Sequence, residues 1–501
     1  MEVKIAVLVD GEKKYADTGT PLSEIVSGEH PCGGHGKCGK CKVIATGALS
    51  PLSDAERSLL TEAELSRGVR LSCLTLALGD CTVERMGEKR GTRILTDATL
   101  PPITLAPAFS RYGVAIDIGT TTLAARLYDK KGNLLADSSC LNPQSEYGAD
   151  VISRIESSIN GKKALLSDAI RRAIDTMILE LSQKAEIENC AIDGAVITGN
   201  TVMLSFLAGV DVTPLSRAPF RADRLFGEAL LADTLGLVSL EKNTPVYLPP
   251  CIGAFVGADT SCAVLASELT KRKNALLVDV GTNGEMALWD GDALTVCSTA
   301  AGPAFEGVGI SMGMRADLGA IDRVRIVDGE LKTHVLGDIP PLGICGSGLV
   351  DAAASMLDLG LLDESGFLED EPFVIEASVS LTQKDIRMLQ LAKSAIAAGL
   401  VTLMQETNTA PADVPLFSIA GGFGRYLGLE SAARIGLLPE ALVGVARTVG
   451  NAALGGASML LLDTTLREKI EVLAKGARLL DLSTNPIFMD SYTMGMMLSQ
   501  I

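Results

Sequence analysis

The chain has 501 residues, 47% hydrophobic and 21% charged, a globular composition that excludes a disordered chain and has room for roughly three or four folding units. With 44 Lys and Arg against 61 Asp and Glu, the net charge of −17 repels nucleic-acid phosphates, and three His leave little for a multi-histidine metal site. No run of about 18 apolar residues predicts a membrane span, and the start MEVKIAVLVDGEKK reads as strand and turn rather than a cleavable signal, so the expected compartment is the cytoplasm.

The first predicted element is a strand, because Val3, Ile5 and Val7 alternate with Glu2, Lys4 and Ala6. Asp10-Gly11 predicts a hairpin turn. Thr20 is placed to cap a short helix that opens on Pro21 and runs through Ile25 and Val26. The stretch Pro31-Cys32-Gly33-Gly34-His35-Gly36-Lys37-Cys38-Gly39-Lys40-Cys41 has no bulky apolar residue and predicts a loop.

Of 11 cysteines, none is expected in a disulfide in a reducing compartment. Cys81, Cys140, Cys190, Cys251, Cys262, Cys297 and Cys345 are mostly isolated in apolar or Gly/Ala-rich surroundings and read as small buried hydrophobes. Cys32, Cys38 and Cys41 differ. Thiolates spaced C-x5-C-x2-C, with a distant fourth, can surround two irons, and the glycines let backbone N–H groups approach the sulfurs. Cys73 is the expected fourth ligand. Cys81 competes, but it begins the apolar strand Cys81-Thr82-Val83. Zinc is the rival metal, although zinc sites usually carry two C-x2-C pairs and only one is present.

Residues 1–88 resemble the β-grasp ferredoxins. The plant type has C-x4-C-x2-C, and the one extra residue here matches the vertebrate and bacterial hydroxylase-type [2Fe–2S] ferredoxins. The resemblance implies a [2Fe–2S] cluster held by Cys32, Cys38, Cys41 and Cys73.

Residues 89–112 include Lys89, Arg90, Gly91, Pro101, Pro102 and Pro107 without apolar periodicity, and predict a semi-rigid linker. The body beyond it contains an internal repeat. The strand Val114-Ala115-Ile116 leads to Asp117, then Gly119 and the hydroxyls of Thr120, Thr121 and Thr122. Later Leu276-Leu277-Val278 leads to Asp279, then Gly281, Thr282, Asn283, Gly284 and Glu285. Such turns offer N–H and hydroxyl donors to phosphate oxygens. Asp117 and Asp279 can hold Mg²⁺ through waters. One copy would be an ordinary hairpin; two facing copies would clasp a polyphosphate. A third turn, Gly421-Gly422-Phe423-Gly424, follows an apolar run. It either lets an adenosine lie against backbone or is a sharp strand-to-helix turn. No G-x-x-x-x-G-K-[ST] motif is present, which argues against a P-loop NTPase.

This order of turns resembles the superfamily of acetate and sugar kinases, heat-shock ATPases and actin. The resemblance implies two duplicated α/β subdomains closing on ATP, over 113–273 and 274–501, the second ending in a connecting helix. The small-residue runs at 346–354 and 450–457 read either as hinge helices or as tight core packing. Asp259, in Gly257-Ala258-Asp259-Thr260, matches the acid that sugar kinases use as general base, and would orient water toward the γ-phosphate. Its other reading is the N-cap of a helix over 260–269. The expected fold class is therefore α/β, with an N-terminal α+β β-grasp domain and a duplicated actin-like ATPase body.

A ferredoxin fused to such a body resembles the ATP-dependent reductive activators of corrinoid proteins. Asn142-Pro143-Gln144, Thr198-Gly199-Asn200-Thr201 and Gly343-Ile344-Cys345-Gly346 carry the likeness, which runs over almost the whole chain. There is one departure: longer members place a middle domain between linker and first phosphate turn, whereas here the chain goes straight to Val114. The resemblance implies reduction of an inactive Co(II) corrinoid protein to Co(I), coupled to ATP, with one electron passing through the cluster from an external low-potential donor. Cobalt must be Co(I) to accept a methyl group, and that reduction is uphill for an ordinary [2Fe–2S] donor. The implied partners are a corrinoid methyl-transfer protein and the electron donor, with no nucleic acid, no membrane, and a homodimer left open. Two other classes stand beside this one: a small-molecule kinase regulated by a ferredoxin domain, and a redox-gated partner-binding clamp.

Overall fold

The computed structural model describes residues 4–26, 36, 39, 41–60, 62–85, 96, 98, 100–376 and 379–501. Met1–Gly91 together with Pro143–Leu166 form one compact unit, and Thr92–Asn142 with Ser167–Ile501 form the other. The chain thus leaves the second unit after Asn142 and rejoins it at Ser167, an excursion that no composition shift announces.

In the first unit a mixed sheet runs in the order Glu12–Asp17, Lys4–Val9, Leu76–Arg85, Lys42–Leu49, Val69–Leu71. Lys4–Val9 and Leu76–Arg85 are parallel, and the other neighbours antiparallel. Ile5, Val7 and Val9 point inward with Val43, Ala45 and Val83, as their alternation predicts. The Asp10-Gly11 turn is present, with φ of 47° and 86°, both in the left-handed region that tight hairpins require. Thr20 does not cap the following helix. Thr20-Pro21 pairs instead with Ala77 and Leu76, and Pro21 occupies the cap position of Leu22–Ile25 with no side-chain bond. Backbone bonds from Gly19 to Ala77 and from Leu22 to Thr75 tie both ends of this pairing, so sheet bonding wins over the cap.

Glu56 organises the sheet's far end. It completes a capping box with Ser53 on the helix Asp54–Leu59 and is fully buried. Its oxygens accept from Arg70 Nε at 2.9 Å, Thr75 Oγ1 at 3.0 Å and Leu71 N at 3.2 Å. One carboxylate therefore fixes the residues on both sides of Cys73.

The second unit contains the repeat as two six-stranded sheets. Sheet I runs Glu228–Leu231, Pro245–Leu248, Ile192–Gly199, Tyr112–Ile118, Thr122–Asp129, Leu134–Leu141. Sheet II runs Ala446–Gly450, Phe417–Ala420, Ala275–Val280, Gly284–Trp289, Leu294–Thr299, Arg478–Leu479. Each has an antiparallel three-strand meander extended by strands parallel to its first member, except that Glu228–Leu231 at the edge of sheet I runs antiparallel to Pro245–Leu248. The acidic turns join equivalent strands of the two sheets. The helix Gln383–Glu406 is long and apolar enough to cross a membrane, but 78% of its most apolar window is buried. Its Leu389, Ile396 and Leu400 pack with Leu276, Val278 and Met286 of sheet II, which makes it a core helix.

The small-residue runs are places of close packing. A Cβ on Gly456 would lie 2.1 Å from the Cys262 carbonyl oxygen, and one on Gly348 would lie 2.2 Å from that of Ile321. Only glycine permits such approach. Among the isolated cysteines, Cys81, Cys251, Cys262, Cys297 and Cys345 are buried as expected, whereas Cys140 and Cys190 are half-buried. The acidic residues Asp363, Glu364, Glu369, Asp370 and Glu371 are exposed.

Candidate functional site

Both acidic turns open into one cleft of about 800 Å³ within the second unit, inside the usual size range of small-molecule sites. Asp117 and Asp279 are each the next-to-last residue of their strand, and both carboxyls line the cleft. Each turn is closed by its glycine: Gly119 N donates to Thr122 O, three residues on, at 2.9 Å, and Gly281 N to Asn283 O, two residues on, at 3.0 Å. A Cβ on Gly119 would sit 2.7 Å from that Thr122 oxygen.

Most of the residues singled out from the sequence line this cleft: Asp117, Gly119, Thr120, Thr121 and Thr122 from sheet I, Asp279, Gly281, Thr282, Asn283 and Glu285 from sheet II, and Asp259, Gly421, Gly422 and Phe423. Two do not. Gly284 is buried, and a Cβ there would meet Ile396 at 2.2 Å; Gly424 faces the Ile419 side chain. Gly421 has φ of 90° and brings backbone against Asp279, whose Oδ1 a Cβ would meet at 2.7 Å; Gly422 faces open space. Asp259 is not the cap of its helix. Gly257 holds the cap position of Ala258–Ala266, and Asp259 sits in the first turn, accepting from Thr260 N at 2.7 Å.

The acids share an electrostatic problem. Burial pushes the Asp117 carboxyl up to about 8, against a hydrogen bond from Asn451 Nδ2 at 3.0 Å and with the charges of Asp259 and Asp279 adding to the rise. Burial and then Asp259 raise Asp279 to about 7. Asp259 and Glu285 are raised as well, again mainly by burial. Arg315 is the one cation among the described residues lining the cleft. A dication would bring all four acids down. Among the described residues no three acid, His or Cys side chains lie close enough to ligate a metal directly. The set therefore fits Mg²⁺ carried by phosphate and water, not an all-protein cage.

Three further residues that line the cleft were not marked in the sequence as site residues. Asn200 Nδ2 donates to Thr120 Oγ1 at 3.1 Å, while its oxygen caps the helix Thr201–Ala208. Asn451 caps Ala452–Leu462 and reaches Asp117. Glu306 accepts from Thr121 Oγ1 at 2.7 Å and from Thr282 Oγ1 at 2.6 Å, joining the two acidic turns. Asn200 and Asn451 each follow a strand-ending glycine, a signal for a helix cap at a strand-to-helix turn. Glu306 carries no comparable signal.

In the first unit Cys41 Sγ donates to Cys73 Sγ at 3.2 Å, with no disulfide between them. Two thiols this close suit two ligands of one metal centre. Ser72 N donates to Cys41 O at 2.8 Å, which sets the pair, and Leu60, Val69 and Leu71 pack around it. Cys32 and Cys38 lie outside the described residues. Cys81 sits within the strand Leu76–Arg85, buried with Val7 and Val83.

Duplicated sheets whose acidic turns meet in one cleft define an actin-like ATPase body. Residues 273–501 match the family model described as the C-terminal domain of RACo, the ASKHA domain, and residues 112–272 match the RACo middle region. The corrinoid activation enzyme RamQ of Eubacterium limosum is 34% identical over 423 residues, covering 77% of this chain and 70% of that protein. A Co(II) methylated amine-specific corrinoid protein reductase of Methanosarcina barkeri is 27% identical over 408 residues, covering 73% and 72%. Among solved structures, a reductive activator for corrinoid, iron-sulfur protein superposes with a TM-score of 0.71 at 28% identity, over 99% of this chain and 98% of that one. The chain belongs to the RACo family. The match to the family's middle region begins at residue 112 and contains the first acidic turn.

Proposed function

We propose that this chain is an ATP-dependent reductive activator that returns the Co(II) corrinoid of a partner protein to Co(I). The observation that carries this reading is the meeting of both acidic turns and Asp259 in a single cleft, in a chain whose relatives are named as a corrinoid activator and a corrinoid protein reductase. Gly119, Thr120, Thr122, Gly281, Asn283 and Asn200 supply donors to the phosphates. Gly421, Gly422 and Phe423 bear the adenosine. Asp117 and Asp279 orient the waters of a phosphate-bound Mg²⁺, and Asp259 orients the attacking water toward the terminal phosphate. Closure of sheet I on sheet II is the two-state element that ATP biases.

The N-terminal segment is read as a β-grasp ferredoxin, supported by its mixed sheet with a parallel terminal pair and by the touching Cys41 and Cys73 sulfurs. Cys32, Cys38, Cys41 and Cys73 would hold a [2Fe–2S] cluster, which supplies one-electron chemistry when bound. Glu56 fixes Arg70, Leu71 and Thr75, and so positions the Cys73 sulfur. An external low-potential donor and a cytoplasmic setting complete the proposal.

The test is ATP hydrolysis with and without a Co(II) corrinoid protein, watched for the Co(I) absorption spectrum. Hydrolysis stimulated by the partner, with Co(I) appearing, is the expected outcome. Phosphate transferred to a small hydroxyl compound instead would make the chain a kinase.

A further inference from the structure

Glu306 ends a single 3-10 helical turn, Pro303–Glu306. Its two carboxylate oxygens are each taken by a hydroxyl from a different sheet: Thr121 Oγ1 donates to Oε2, and Thr282 Oγ1 to Oε1. A carboxylate offers only acceptors, as a phosphate does, and it bears the same sign of charge. A terminal phosphate placed between the two acidic turns would need the same two hydroxyls and would be repelled by the carboxylate that holds them. Both cannot occupy the gap.

The turn that carries Glu306 lies between two glycines, Gly302 and Gly307, with φ of 77° and 78°. Gly302 has open space beside it, whereas a Cβ on Gly307 would lie 2.5 Å from the Met314 backbone nitrogen. Gly302 N donates to Thr282 O at 2.9 Å, so the turn is tied directly to the second acidic turn. The neighbouring Phe305 ring stacks on Phe423 at 4.5 Å and 21°. A displacement of Glu306 therefore reaches the Gly421-Gly422-Phe423 turn through one pair of rings.

We propose that Glu306 senses the γ-phosphate: its carboxylate clasps the two acidic turns through Thr121 and Thr282, and a nucleoside triphosphate displaces it where a diphosphate does not. The proposal rests on the phosphate-turn reading of the cleft. On that reading the adenosine lies on Gly421–Phe423 and the two acidic turns take the far end of the polyphosphate, which assigns the terminal phosphate to Thr121 and Thr282. Glu306 then discriminates between triphosphate and diphosphate, and its release is coupled to the adenosine turn.

The experiment is calorimetric titration of the full-length protein and of Glu306→Ala and Glu306→Gln with the magnesium complexes of AMPPNP and ADP. Glu306→Ala should bind AMPPNP about ten-fold tighter, with ADP changed by less than about two-fold, since one charge-assisted competitor is removed. Glu306→Gln, isosteric and neutral, should move in the same direction by less. The ADP affinity doubles as a control for folding. Weaker AMPPNP binding would overturn the proposal and make Glu306 a ligand of the nucleotide or its Mg²⁺. Equal shifts for both nucleotides, or none, would also overturn it and leave a purely structural clasp. If the unaltered protein binds neither nucleotide, the cleft assignment falls as well; if it binds both and the ratio is unmoved, only the sensing role falls.

Discussion

Buried carboxylates behave in opposite ways in the two units. Burial pushes Glu56 up, but the hydrogen bond from Arg70, those from Ser53 and Leu71, and the Arg70 charge overcome it and hold the group at about 2. In the cleft, burial wins: Asp117 rises to about 8 and Asp279 to about 7. Burial raises the carboxyls in both places, and the two sets differ in the partners they face. Glu56 faces a guanidinium, two hydroxyls and two backbone N–H groups. Asp117 has one amide, and Asp279 has a second acid nearby. An acid satisfied by its own protein is scaffold; acids buried together and short of positive charge mark the place of a cation and its ligand.

The largest expected effect extends the contrast to sulfur. The Cys81 thiol is pushed up by burial and then by Asp80, as a core cysteine is, whereas Cys41 and Cys73 touch. Cys73→Ala should abolish the EPR signal of the reduced cluster, and Cys81→Ala should keep it. The opposite pattern would reassign the fourth ligand.

Next in size is Asp279→Ala. ATP hydrolysis should fall on the order of 100-fold, while thermal stability without Mg²⁺ should hold or rise, because a repelling buried charge is gone. Normal hydrolysis would refute the catalytic role of the second turn. A large loss of stability would make Asp279 scaffold and erase the contrast with Glu56.

Glu56→Gln should do the reverse. It strands the Arg70 charge and should destabilise the first unit by about 2–3 kcal/mol, with hydrolysis by the second unit little altered. Intact protection of Lys42–Leu49 from hydrogen exchange in this variant would show that the carboxylate is not the anchor.

The smallest effect is in pH dependence, and its sign differs between the units. At Glu56 the folded value of about 2 lies below the usual 4.5, so its stabilisation is complete above about pH 4.5 and is lost as pH falls toward 2. At Asp117 and Asp279 the folded values of about 8 and about 7 lie above the usual 3.8. The folded protein keeps protons there that the unfolded chain has shed, so stability falls as pH rises from about 4 to about 8. Exchange protection corrected for intrinsic rates should drop in Lys42–Leu49 on acidification and in Ala275–Val280 toward pH 8. Mg-nucleotide should flatten the second slope. Slopes of one sign in both strands would break the comparison.

Much of the cleft was legible because its parts are local. Asp117-x-Gly119-Thr120 and Asp279-x-Gly281-Thr282 each lie within one strand and its turn, where hydrophobic period and glycine report backbone directly. Repetition made the pair readable as one site. Gly284 and Gly424 were over-read, since a glycine in a turn motif signals close approach without saying to what: Gly284 meets the helix Gln383–Glu406, not the cleft. Thr20 was misread as a cap, because its cap geometry competes with sheet pairing to residues more than 50 positions away.

The sequence by itself determined the cysteine spacing, the repeat and the acids at its turns, because these depend on neighbours within a few residues. Only the tertiary structure decided which long-range partners each group meets. Glu306 reaches Thr121 across 185 positions, and Asn451 reaches Asp117 across 334. Pro143–Leu166 joins the first unit although the chain on either side belongs to the second. A hydrogen bond needs its donor and acceptor within about 3 Å, and at such separations that distance is set by how whole sheets pack, which no local pattern encodes.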